Sequence, residues 1–272
     1  MAGIAEFVRE IRTQKDLIGA VFMLENTDKE LNKVKEHWED SKTVSLKDGN
    51  LQELERFSIL EALKRIGKVN KLADIGCGDG IDTICWRQYA QKVHGYDYST
   101  VMLKKARKLS KGKVKFHSLD ILSEMPKEKY DVIVTKRCLI NLGTFENQKK
   151  AVMKICRNLN PGGHYIMLES CSEGLNNLNI MRLKANLQPL KVPFHNKYFD
   201  LGELIAFLKP AFDIEETKNF STYYFLTRVY NQVLDKDKFA PFDKVAKNFH
   251  IDFNLFGSTI IGPQFLMDLK KL

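Results

Sequence analysis

Disulfide and metal-cluster chemistry have little to draw on in this 272-residue chain. Its five cysteines, Cys77, Cys85, Cys138, Cys156 and Cys171, are odd in number, widely spaced and without a C-x-x-C pair. That excludes a disulfide framework and fits a reducing compartment, with no metal expected. Long apolar runs are absent as well. The longest, such as residues 17–24, fall short of the ~20 residues a membrane helix needs. Glu6, Arg9 and Glu10 interrupt any secretory-leader pattern, so a cytoplasmic protein without a membrane partner is expected. No internal repeat, low-complexity tract or linker divides the chain. The formal net charge is +9, yet no long Lys/Arg block carries it. Scattered lysines fit a solvated basic surface. The sharper alternative is an acidic partner such as nucleic acid, an anionic metabolite or a membrane surface.

What is present is periodicity. Ile4, Phe7, Val8, Ile11, Leu17, Ile18, Val21 and Phe22 recur at helical spacing. A polar, partly helical stretch covers residues 26–50. Leu51, Leu54, Phe57, Leu60, Leu63 and Ile66 then form an amphipathic stripe that ends near Gly67. From there strands and helices alternate. Strands are expected at 71–75, 93–97, 114–120, 130–135 and 164–169, and helices at 81–90, 100–110 and 145–159. The last helix stops at Pro161-Gly162-Gly163. A polar stretch with Pro189 and Pro193 breaks the rhythm at 171–200. A helix at 201–208, a strand at 212–220, a helix at 221–234 and an irregular strand within 258–269 complete the chain. The pattern predicts one α/β domain with a doubly wound, mostly parallel sheet. Residues 1–67 form a helical cap, 68–170 the core, 171–200 an insertion after the fifth strand, and 201–272 the rest of the sheet.

Chemistry concentrates in Asp74-Ile75-Gly76-Cys77-Gly78-Asp79-Gly80, where a strand turns into a helix. Glycines tolerate positive φ and let a ligand approach the backbone. Such a turn at the carboxyl end of a parallel sheet is a nucleotide site. The next strand ends at Asp97, 23 positions after Asp74, where a carboxylate can accept from both ribose hydroxyls. Dinucleotides and S-adenosylmethionine share this logic. The spacing is GxGxG, not the GxGxxG that cradles a pyrophosphate. Asp74 would repel a pyrophosphate but suits an ammonium group, or holds the loop.

LADIGCGDG, HGYDYS around Asp97, SLDI around Asp120, YDVIVTKRCLINL and the NPGG turn follow one another in order. In these boxes, over residues 51–170, the sequence resembles the class I (Rossmann-like) S-adenosylmethionine-dependent methyltransferases, and residues 171–200 are similar to an insertion in their bacterial small-molecule type. The resemblance implies a seven-stranded sheet and S-adenosyl-L-methionine as cofactor. It places Gly76 and Gly78 along the methionine portion and ribose, with Cys77 as a small packing residue between them. Asp74 would orient the loop or the ammonium. Asp97 would hold the ribose, with Tyr98 and Met102 beside the adenine. Asp120 would accept from the adenine amino group, or merely cap the next segment, and Ile121 would pack on the ring. Lys136 and Cys138 would line the cofactor. Arg56 would reach its carboxylate, or form an ordinary helix ion pair.

The acceptor side is less readable. No Asn-Pro-Pro-Tyr or Asp-Pro-Pro-Tyr box follows the fourth strand, where Lys136-Arg137-Cys138-Leu139 stands, and no Pro-Cys dipeptide occurs. Both absences argue against nucleobase methylation. The acceptor pocket is expected from the N-terminal extension, residues 171–200 and the chain after Ser221. His195 is the first candidate for general base, since imidazole titrates near neutrality. Glu169, at a strand end, is the second, either as base or as a site for a cationic acceptor. Arg182, Asn196, Tyr198 and Tyr224 are candidate substrate contacts. Each also has a plain structural reading as a surface, capping or core residue. The expected activity is methyl transfer to oxygen or nitrogen of a small molecule. RNA or protein acceptors, a non-catalytic S-adenosylmethionine-binding protein and a nicotinamide-dependent dehydrogenase are the alternatives. Oligomeric state is not legible.

Overall fold

The computed structural model describes residues 29–40, 42–43, 46–234, 242–252 and 255–272. The helical reading of residues 4–22 lies outside them. Seven strands form one sheet: β1 (Val69–Ile75), β2 (Ala90–Asp97), β3 (Lys115–Ser118), β4 (Tyr130–Lys136), β5 (Leu159–Ser170), β6 (Phe212–Asn219) and β7 (Gln264–Lys271). Their order is β3-β2-β1-β4-β5-β7-β6. The first five run parallel, and β7 runs antiparallel to both β5 and β6. The fold is the doubly wound, mostly parallel sheet that the alternating pattern predicts.

The described helices are α1 (29–39), α2 (Gly49–Ile66), α3 (Ile81–Cys85), α4 (Thr100–Ser110), α5 (Phe145–Asn158), α6 (Ser172–Lys184), α7 (Leu201–Leu208), α8 (Ser221–Phe225), α9 (Asn231–Val233) and α10 (Phe242–Asp252). A parallel sheet covered on both faces needs strands that are apolar on both faces. Leu72, Val132, Val134, Ile166 and Leu168 point to one side, where Leu51, Leu54, Ile59 and Leu63 of α2 and Leu103 of α4 meet them. Ala73, Ile75, Ile133, Tyr165 and Met167 point to the other, against Val152 and Ile155 of α5 and Leu204 of α7. Helix starts follow side-chain capping. Asp48, Ser99, Thr144 and Asp200 accept from the backbone N–H three residues on, at 2.9–3.2 Å.

Several expected boundaries move. The helix expected over 81–90 ends at Cys85. A 3₁₀ turn (Trp86–Tyr89) follows, because Ala90 already pairs with Val69 in the sheet. The fifth strand begins at Leu159 rather than 164, and a register shift after the Tyr130–Leu159 pair absorbs Pro161-Gly162-Gly163. Residues 171–200 are not irregular throughout, since they open with α6. Its asparagines hide a buried stripe of Gly174, Leu175, Leu178 and Arg182. The helix expected at 221–234 contains a π-helical turn (Leu226–Tyr230). The last strand starts at Gln264, after Gly262 turns the chain at φ +95°.

Candidate functional site

The strand order reverses between β1 and β4, whose neighbours lie on opposite sides. That leaves a crevice at the carboxyl ends of the strands. The chain leaves β1 at Ile75 and turns back under β2: Gly76 and Cys77 both donate N–H to the Tyr96 carbonyl, at 2.7 and 3.0 Å. Gly76 has φ +77°, and a Cβ there would lie 2.5 Å from Cys138 Sγ, so only glycine fits between the two turns. Gly78 donates to Asp97 Oδ2 at 2.8 Å, while Ser99 donates to Asp97 Oδ1 at 2.9 Å. One carboxylate thus ties the glycine turn to the start of α4. Burial pushes the Asp97 carboxyl up. Asp74 is 2% exposed and accepts from Thr83 Oγ1 at 2.5 Å. Burial, offset only in part by that hydroxyl, pushes it up to about 8.

A cavity of about 270 Å³ opens here. Arg56, Asp74, Gly76, Cys77, Gly78, Asp97, Tyr98, Met102, Asp120, Ile121, Lys136 and Cys138 all line it. The structure therefore brings every residue named for the cofactor to one place. Asp120 accepts from the Leu122 N–H at 2.9 Å and pairs with Lys35 at 2.7 Å, which together hold its carboxyl below the usual range. Arg56 Nε donates to Asp82 Oδ1 at 2.5 Å, an ion pair to α3 rather than within its own helix, and it also lines the cavity.

The residues named for catalysis and acceptor contact do not line this cavity. Glu169 is fully buried under the turn after β4, where its oxygens accept N–H from Cys138, Leu139 and Ile140 at 3.0–3.2 Å. It holds a turn rather than facing a ligand. Arg182 donates to the Gln188 and Arg228 carbonyls, joining α6 to the π-helical turn. Tyr224 is packed in the core with its hydroxyl on Gln264. Tyr198 is half-buried, and burial pushes its hydroxyl up. His195 stacks on His37 at 4.6 Å and meets Trp38 edge-on at 5.7 Å. Through Trp38, which lines the cavity, His195 reaches the cavity wall.

Burial pushes Glu169 up to about 7 from an ordinary 4.5. Its contribution to stability is thus complete below pH 4.5 and is lost as pH rises through 7. Glu169→Gln should flatten that slope in urea unfolding measured across the same window. At pH 5, where that contribution is still present, the variant should cost about 1–3 kcal/mol, because its amide NH₂ faces an N–H group from which a carboxyl oxygen accepts. A variant with unchanged slope and stability would show that Glu169 does not hold the turn.

Sequence reasoning left α1 inside a partly helical polar stretch and named none of its residues for the cavity. Leu31, Val34, Lys35 and Trp38 line the cavity from this helix. Their i, i+3, i+4, i+7 spacing was the available signal, diluted by charged neighbours. The helix is fastened by Lys35 to Asp120, by Trp38 Nε1 to Asn141 Oδ1 at 3.2 Å, by Ser99 Oγ to the Trp38 carbonyl at 2.9 Å and by the Thr100 N–H to Glu39 at 2.8 Å. Among the described residues no cluster of ligating side chains could hold a metal ion, and no helix is long and apolar enough to cross a membrane.

A search of curated proteins finds no match. Solved structures share the fold. The N-methyltransferase NodS from Bradyrhizobium japonicum WM9, solved with S-adenosyl-L-homocysteine, superposes with a TM-score of 0.57 at 14% identity, covering 89% of this chain and 98% of its own. YjhP from E. coli gives 0.53 at 17% identity, covering 87% and 99%. The [4+2]-cyclase SpnF gives 0.52 at 18%, covering 79% and 80%. At such identities the likeness establishes the fold, and fold alone does not fix a reaction. The sequence profile of the methyltransferase domain matches residues 67–240, more than half of the chain and the whole of the glycine turn and its carboxylates. The chain belongs to the methyltransferase domain family.

Proposed function

We propose that the cavity binds S-adenosylmethionine and that the chain moves its methyl group to an oxygen or nitrogen of a small-molecule acceptor. The carrying observation is the pair of carboxylates, Asp74 and Asp97, that flank a glycine turn and are both pushed up by burial. Each is a poor place for a negative charge until a cation or hydroxyl pair meets it. Gly78 has nothing within 4 Å of where a Cβ would stand, so its backbone is open to a ligand.

The residues fit the cofactor. Asp97 holds the ribose hydroxyls, Asp74 the ammonium and Arg56 the carboxylate. Asp120 accepts from the adenine amino group, with Tyr98, Met102 and Ile121 around the ring. Gly76, Cys77, Lys136 and Cys138 line the methionine portion. The bound sulfonium supplies a methyl group already activated for in-line displacement, so the protein's part is orientation and exclusion of water. His195 is the proposed base, with Asn196 and Tyr198 on the same segment as acceptor contacts. Burial and the neighbouring His37 hold its imidazole below the usual range, in the neutral form a base requires.

With Asp74 at about 8, the donor-free protein carries a proton there at pH 7. Pairing with an ammonium expels it. Calorimetry of S-adenosylhomocysteine binding at pH 7, in buffers of different ionisation enthalpy, should therefore show release of close to one proton. Binding without proton release would remove Asp74 from the ammonium site. No binding at all, with binding of NAD instead, would end the donor reading.

A further inference from the structure

Five charged side chains alternate in sign across the site. Arg56 meets Asp82 at 2.5 Å, Asp82 meets Lys136, Lys136 meets Glu55 at 3.5 Å, and Glu55 meets Arg137 Nη2 at 3.3 Å. Glu55 is fully buried behind the wall, and the other four line the cavity. The row begins on α2 and α3 beside the glycine turn and ends just past β4.

Arg137 is an unusual residue to find at that end. Its φ is +52°, a left-handed conformation that side chains other than glycine rarely adopt. Five hydrogen bonds hold it and the turn it starts. Its N–H donates to the Leu168 carbonyl at 2.8 Å, its carbonyl accepts from Asn141 Nδ2 at 2.8 Å, and the next three N–H groups sit on Glu169. The side chain is only 8% exposed, yet it lines the cavity. Strained backbone kept by surrounding structure, with a buried cation at an opening, marks a group set for recognition. The row also holds three cations to two carboxylates. Asp82 lies between Arg56 and Lys136, and Glu55 between Lys136 and Arg137, so neither carboxylate offers uncompensated charge to a cationic acceptor.

We propose that Arg137 binds an anionic oxygen group, carboxylate or phosphate, on the methyl acceptor. This rests on the donor reading above, which assigns the donor's own carboxylate to Arg56 at the opposite end of the row. A guanidinium fork suits either anion and fixes its orientation as well as its presence.

The test uses the full chain saturated with S-adenosylhomocysteine. Sodium acetate and inorganic phosphate are titrated separately at constant ionic strength, following the fluorescence of Trp38 and Trp86, both of which line the cavity. A saturable change with one or both anions is expected, and the stronger arm names the group. Arg137→Gln should raise the midpoint at least about tenfold, a difference of ~1.4 kcal/mol, with S-adenosylhomocysteine affinity held within about threefold. The double variant Glu55→Gln/Arg137→Gln removes both members of the buried pair and should behave alike, which guards against misfolding of the single variant. No saturable change with either anion, or equal midpoints in wild type and both variants, overturns the proposal. Failure of S-adenosylhomocysteine itself to bind is a separate result, and it overturns the donor reading.

Discussion

Asp97→Ala should weaken S-adenosylhomocysteine binding by about 100-fold or more, the equivalent of ~3 kcal/mol. The carboxylate has two duties that alanine abandons together. It accepts the Gly78 and Ser99 N–H groups, so it shapes the turn on which the donor lies. It is also the acceptor proposed for the ribose hydroxyls, and charge-assisted bonds of this kind are each worth about 1.5–3 kcal/mol. Asp97→Asn separates the duties. Its amide keeps one acceptor but turns a donor toward an N–H group, so the expected loss is smaller, about tenfold. Calorimetry on the three proteins reads both steps. An alanine variant that binds within threefold of wild type would exclude Asp97 from the donor site.

Gly76→Ala should destabilise the fold by about 2–5 kcal/mol, the sum of a left-handed backbone penalty and overpacking. The added methyl would stand 2.5 Å from Cys138 Sγ and 2.6 Å from its Cβ. Gly78→Ala is the informative contrast. Its φ is +54°, but its Cβ would meet nothing within 4 Å. Only the backbone penalty of about 1–2 kcal/mol applies there, while the methyl intrudes into the space proposed for the donor. Urea unfolding should therefore rank Gly76→Ala well below Gly78→Ala in stability, and calorimetry should find donor binding lost in both. Equal stabilities for the two variants would contradict the close packing of the glycine turn against the turn after β4.

The contrast between the two halves of the site is also a contrast in legibility. The proposed donor half could be read because its residues sit where apolar strands end. Asp74, Asp97 and Lys136 each occupy the last or next-to-last position of a strand, and parallel strands deliver their carboxyl ends to one crevice. The acceptor half depends on which way a side chain points after the strand ends, and periodicity does not carry that information. Glu169 and Lys136 both stand near strand ends on neighbouring strands. One turns inward to three backbone N–H groups, the other to the cavity. Arg182 and Tyr224 are taken up by tertiary hydrogen bonds to partners 46 and 40 positions away. α6 was hidden because its buried stripe includes a glycine and an arginine. The part α1 plays in the cavity was hidden because its apolar positions are few and surrounded by charge.

The cover of the site is attached differently from its floor. β1, β2 and β4 are knitted into the sheet by continuous ladders. α1 joins through a handful of polar contacts centred on Asp120, Asn141 and Thr100. Outside the cavity lining, the end of the 171–200 segment is held in a similar way, by the Lys197 N–H on the Ile140 carbonyl, the Lys197 carbonyl on Gln148, and the Phe199 N–H on the Ser170 carbonyl. A few such bonds can be exchanged without disturbing a ladder. Substitutions that break the contacts of α1 should therefore leave the sheet, and the glycine turn it carries, in place.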